Sequence, residues 1–90
     1  VATIMDNETE RATIDRYIEH DPQRPWEDAL MRENAVPVWA IVGYVLGTDG
    51  DCVKTANDYE IPVEAVDAAL AYYQRHRTAI DARLAPAHTG

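Results

Sequence analysis

Asp51-Cys52-Val53-Lys54-Thr55-Ala56-Asn57-Asp58-Tyr59-Glu60-Ile61-Pro62-Val63-Glu64-Ala65-Val66 is the stretch whose reading decides the fold. Asp51 is a capping residue type, and a helix begun there runs to about Tyr59. Pro62 suits the start of the next helix, where its missing N–H would have no intrahelical partner anyway. Ala56 is the small residue where two short helices would cross. Tyr59-Glu60 falls at the turn, Ile61 follows it, and Val66 anchors the second helix with Leu70 a turn further on. Packing two short helices at a steep angle asks for that order of residue types. The segment from about Asp51 to about Arg77 therefore reads as a helix-turn-helix, with Ala56, Ile61, Pro62, Val66 and Leu70 as its packing residues. Glu60 departs from the pattern, which prefers glycine at the turn for its backbone freedom.

Beyond the corner the apolar positions are Val63, Val66, Leu70, Tyr73, Ile80 and Leu84, with Arg77 in the one gap. Their spacing alternates three and four, as in a heptad repeat, and predicts one long helix from Pro62 to about Leu84. The stripe reads either as a core face or, toward its end, as a dimer seam of Tyr73, Ile80 and Leu84.

On the other side of the corner, Pro37 opens a helix whose Val38, Ile41, Val42, Val45 and Leu46 recur at helical spacing, widened by Trp39 and Tyr44. Gly47-Thr48-Asp49-Gly50 ends it. Between Pro22 and Pro37 two readings stand. One is a short hairpin of Ala29–Arg32 and Ala35–Val36 around Glu33-Asn34, with Asn34 taking the turn conformation; the other is a short helix over Trp26–Glu33. Further back, Asn7-Glu8-Thr9-Glu10 resembles a capped helix start. That helix runs to about Glu19 with Ile14, Tyr17 and Ile18 on one face, until Asp21-Pro22 stops it. The expected architecture is mainly α: a winged-helix-like, three-helix domain over residues 21–84 with a short β-hairpin, a helical arm at 1–20 and a tail at 85–90.

Ninety residues make one domain with a thin core. Sixteen acidic residues against eight basic ones give a net charge of −8. Nucleic-acid binders draw most of their non-specific affinity from a basic face, and this chain has no such overall footprint. At the reading edge of the second helix, Glu64 and Asp67 stand beside Val63 and Ala68. Carboxylates there repel phosphate and accept only from cytosine in the major groove. The cations available for backbone phosphates are Arg32, Lys54, Arg75 and Arg77, presented by a dimer. The competing reading makes the corner a packing or protein-contact element.

Cys52 is the single cysteine, which fits a reducing compartment. Val1–Glu10 carries Asp6, Glu8 and Glu10 and no long apolar run, so a cytoplasmic location is expected. No run of 18 apolar residues is present to span a membrane.

Asp49, Asp51 and Glu60 stand at three calcium-loop positions, but Val53 and Lys54 occupy places that need an oxygen ligand and a glycine. His20, His76 and His88 are far apart in sequence, one cysteine is too few for structural zinc, and no glycine-rich phosphate loop occurs. Cys52 reads as a packing residue, although a helix's first turn can lower a thiol's pKa. Asp15, Glu19 and Asp21 read as a solvated face. No set of residues supplies nucleophile, base and oxyanion site together, so neither an enzyme nor a cofactor is expected.

Asp21-Pro22, Ala29-Leu30-Met31-Arg32, Pro37-Val38-Trp39-Ala40 and Ala68-Ala69-Leu70-Ala71-Tyr72-Tyr73, followed by Arg75-His76-Arg77, occur in an order and spacing that resembles family 433 of the domains of unknown function. These are small bacterial helix-turn-helix proteins often paired with nuclease-like toxins of the PIN superfamily. The resemblance spans about Asp21 to Leu84. It departs before the hairpin, where many members have Gly-Gly and this chain has Pro25-Trp26-Glu27-Asp28, and after Arg32, where Glu33-Asn34 replaces Gly-Thr. What the resemblance implies is an antitoxin-like role. The chain would neutralise a PIN-like partner and regulate its own operon as a DNA-binding homodimer. A stand-alone DNA-binding regulator and a homodimeric module without DNA binding are the alternatives.

Overall fold

The fold is that of a computed structural model in which residues 7–84 are described. It is mainly helical, with five α-helices among the described residues and one two-stranded antiparallel sheet. The Asn7 capping side chain and the tail at 85–90 lie outside what is described.

Helix α1 (Asn7–Tyr17) stops two residues short of the expected Glu19. Ile18–Glu19 instead forms strand β1, which pairs with β2 (Leu30–Met31) in the register Ile18 to Met31 and Glu19 to Leu30. Burial of Ile18 and Met31 on the core side favours the strand over a further helical turn. Arg32 completes the junction: its N–H donates to the Tyr17 carbonyl at 2.9 Å and its Nε to the Asp15 carbonyl at 2.9 Å. The side chain thereby satisfies one of the carbonyls a helix end leaves unpaired.

Both readings of the segment between Pro22 and Pro37 hold over part of it. Trp26–Asp28 is a 3-10 turn, and Ala29–Val38 folds back as a hairpin. The hairpin closes through Met31 N–H to Val36 O at 2.8 Å and Val38 N–H to Ala29 O at 2.9 Å. Its left-handed residue is Ala35, at φ 59°, not Asn34. Asn34 serves the turn with its side chain, accepting the Val36 N–H at 3.2 Å and donating to the Tyr59 carbonyl at 3.1 Å. It thus pins the hairpin to the end of the first helix of the helix-turn-helix.

Helix α2 (Val38–Gly47) begins just after Pro37 and buries Val38, Ile41, Val42 and Val45. Leu46, expected in that stripe, faces outward. Helix α3 (Cys52–Tyr59) is capped by the Asp51 carboxylate, which accepts the Lys54 N–H at 2.9 Å. Its end is a Schellman turn: Ile61 N–H reaches Ala56 O at 3.0 Å and Glu60 N–H reaches Asn57 O at 3.3 Å, with Glu60 left-handed at φ 59°. Ala56 and Ile61 are buried together, as the corner requires, and Pro62 stands one residue before the next helix.

The expected long helix is two. Helix α4 (Val63–Arg75) ends at His76, whose φ −132° and ψ 44° break the helix, and α5 (Arg77–Leu84) turns back onto α2 and the 3-10 turn. Helix α4 is the hub, packed by α1, α2 and α3. It buries Ala65, Val66, Ala68, Ala69, Ala71, Tyr72 and Tyr73, with Leu70 half-buried. Helix α1, expected as an arm, contributes Ile14 to the same core, which Ile18 of β1 joins. No helix among the described residues is long and apolar enough to cross a membrane.

Candidate functional site

The residues singled out for DNA contact are exposed, and each also contacts a neighbour in the chain. Arg32 caps α1. Lys54 pairs with Asp58 at 3.2 Å, and Asp58 also accepts from the Tyr44 hydroxyl. Arg75 donates to Glu10 at 2.7 Å, and Arg77 lies over the Tyr73 ring at 5.5 Å. Arg75 and Arg77 share a cleft, whereas Arg32 and Lys54 belong to other parts of the surface. The reading edge is likewise engaged: Tyr17 donates to Glu64 at 2.8 Å, and burial, then Glu64, pushes the Asp67 carboxyl above its ordinary range. Helix α4 exposes only Val63, Glu64, Asp67, Gln74 and Arg75.

The residues of the expected dimer seam lie in the chain's own core. Ile80 is fully buried, Tyr73 is buried with its hydroxyl on Asp81 at 2.7 Å, and Leu84 packs against the core. A Cβ at Gly43 would stand 3.0 Å from Leu84 Cδ2, so the bare glycine backbone of α2 is what lets α5 approach. The break at His76 turns these side chains inward. The thiol of Cys52 is pushed up by burial, then by Asp67 and Asp51, so the helix start does not activate it.

Two surfaces come together that the sequence pattern did not reveal. The first surrounds Trp26, which is 50% exposed yet has two imidazoles stacked on it: His20 at 4.5 Å and His76 at 4.1 Å between ring centres, both nearly parallel to it. Tyr72 supports it from below, its hydroxyl donating to the Trp26 carbonyl at 2.7 Å; burial, then Glu27, pushes that phenol up to about 12. The three rings come from the loop after β1, the 3-10 turn and the α4–α5 junction. Histidines that are isolated in sequence are thus neighbours in space.

The second surface is an open cleft of about 290 Å³ beside the hairpin, lined by four carboxylates, Glu19, Asp21, Glu27 and Asp28, two arginines, Arg24 and Arg83, and Trp39. Arg24 is paired with Asp28 at 3.3 Å, and Arg83 lies over Trp39 at 5.5 Å. Glu19, Asp21 and Glu27 have no ion-pair partner among the described residues. Such a cleft can receive a cationic side chain, its carboxylates supplying charge and its indole an apolar wall. Among the described residues no group of three His, Cys, Asp or Glu is placed to hold a metal.

Fold and site together define a small helical domain with a helix-turn-helix whose second helix is a core element, and with an acidic, aromatic-walled cleft at its hairpin. Compared with family models, with curated proteins and with solved structures, the chain matches none.

Proposed function

We propose that this domain works by covering a basic surface on a protein partner, as an antitoxin covers the RNA-binding surface of a PIN-type nuclease. The observation that carries the reading is the Trp39 cleft, whose Glu19, Asp21 and Glu27 form no ion pair among the described residues, on a chain of net charge −8. Complementary charge of this kind speeds encounter and disfavours wrong partners more than it adds raw affinity. The exposed start of α4 supports the same direction, since Glu64 and Asp67 stand there and carboxylates repel the phosphates that flank a major groove.

The test is co-expression with the product of the adjacent reading frame, followed by measurement of complex formation and of ribonuclease activity. A PIN-like neighbour that copurifies, is silenced, and associates about tenfold more slowly when salt is raised from ~0.05 to ~0.5 M supports the reading. Changing Glu19, Asp21 and Glu27 together to Gln, Asn and Gln is expected to slow association similarly. A neighbour that is not nuclease-like, or salt-sensitive binding to upstream DNA with no protein complex, would overturn it.

A further inference from the structure

Covering a basic partner makes no use of the stack at Trp26, which joins the loop after β1 to the distant α4–α5 junction. His20 lies just after β1, Trp26 opens the 3-10 turn, and His76 is the residue at which α4 breaks. His20 Nε2 stands 3.0 Å from the Arg24 carbonyl, which can only accept, so that nitrogen carries the proton and His20 also closes its own loop. The Tyr72 ring tilts against His76 at 4.5 Å, and its hydroxyl fixes Trp26 from the other end.

The indole face attracts one cationic ring. Both imidazoles stack on the same indole, so a second imidazolium there adds like charge to a ring that already holds one cation. The other groups facing the stack are Arg11 and Asp15 from α1, Tyr72 and Arg75 from α4, and Arg77 from α5. From the loop itself come Glu27 and the Arg24–Asp28 pair. Arg75 is balanced by Glu10, and Arg77 approaches from the same side as His76.

We infer that His20, Trp26 and His76 form a proton-operated clasp, closed while at least one imidazole is neutral and released when both are charged, freeing residues 20–28 from the α4–α5 junction. Burial first, then His20 and Arg75, holds His76 below the ordinary histidine range, so the second proton binds late. The neutral ring is therefore the form the folded state prefers. Its stabilisation is complete above the unfolded value of about 6.5 and is lost as pH falls through the lower folded value. Release also separates Asp21, Glu27 and Asp28 from the rest of the acidic cleft. The clasp itself does not depend on the partner reading.

Hydrogen exchange on the unaltered chain, from about pH 8 to about pH 5, tests this. After correction for intrinsic exchange, the amides of Arg24, Asp28 and Ala29 should lose about tenfold in protection with a midpoint below about 6.5, while those of Val66–Tyr73 keep theirs. These three amides bond to the Asp21, Pro25 and Trp26 carbonyls and report the loop directly. In a Trp39→Phe background, acrylamide quenching of Trp26 should rise about twofold in the same window. The double variant His20→Phe, His76→Phe keeps an aromatic ring at both positions, gives up the His20–Arg24 hydrogen bond and cannot titrate, so its loop protection should not change across this pH range. Unchanged protection of the loop in the unaltered chain, the same acid loss in the double variant, or simultaneous loss along α4 would each overturn the clasp.

Discussion

At φ 59° and ψ 45°, Glu60 holds the left-handed position of the turn between α3 and α4. There its Cβ crowds the backbone at a cost of about 1–2 kcal/mol. The departure is visible in the sequence, because the corner pattern asks for glycine and the chain supplies glutamate. What the sequence does not show is that the backbone keeps the conformation regardless. The two Schellman hydrogen bonds and the burial of Ala56 against Ile61 hold it. Glu60→Gly should therefore stabilise the domain by about 1 kcal/mol, less than the full strain because glycine also loosens the unfolded chain. A rise in Tm of about 4–8 °C is the expected result of a thermal melt followed by circular dichroism. An unchanged or lower Tm would mean that the Glu60 side chain contributes a contact worth the strain. Asn34 and Ala35 show the opposite limit of residue-level reading. Asparagine tolerates positive φ better than alanine, but its side chain is occupied by Val36 and Tyr59, so the turn conformation passes to its neighbour.

Among the elements, the helix-turn-helix was legible because its signals are local: the Asp51 cap, the Ile61-Pro62 corner and the small residue at the crossing. The division of α4 from α5 was not. The three-four spacing holds on both sides of His76 with only Arg77 as a gap, and neither proline nor glycine marks the break. Its correlates are tertiary, in Trp26 stacked on His76 and in Leu84 seated at Gly43. The clasp was hidden because His76 lies far along the chain from His20 and Trp26, and the cleft because Trp39 and Arg83 meet the carboxylates of residues 19–28 only once the chain has folded. The break changes what Ile80 does, and that can be measured. As a fully buried core residue, Ile80→Ala should cost about 2–5 kcal/mol in urea denaturation, with a midpoint independent of protein concentration. A midpoint that moves with concentration only in the unaltered chain would restore Ile80 to a dimer seam.

Considered as one molecule, the domain depends on its first helix in a way that an N-terminal arm would not. Ile14 removes an apolar side chain from water, a contribution of about 1.5–3 kcal/mol. Tyr17 to Glu64 and Glu10 to Arg75 tie α1 near opposite ends of α4. Without α1, the α4 face it covers would meet water and Arg32 would lose the carbonyl it caps. A domain of this size has a total stability of roughly 5–13 kcal/mol, so losing Ile14, the Arg32 contacts and the cover over α4 together removes a large part of it. A chain beginning at Ile18 is accordingly expected to lose its cooperative thermal transition and bind a hydrophobic dye, whereas a detachable arm would leave Tm within about 5 °C of the full chain. Supplying a synthetic peptide of residues 1–17 in trans separates packing from a covalent end effect. Recovery of the transition in proportion to peptide concentration is the outcome that α1 as a core element requires.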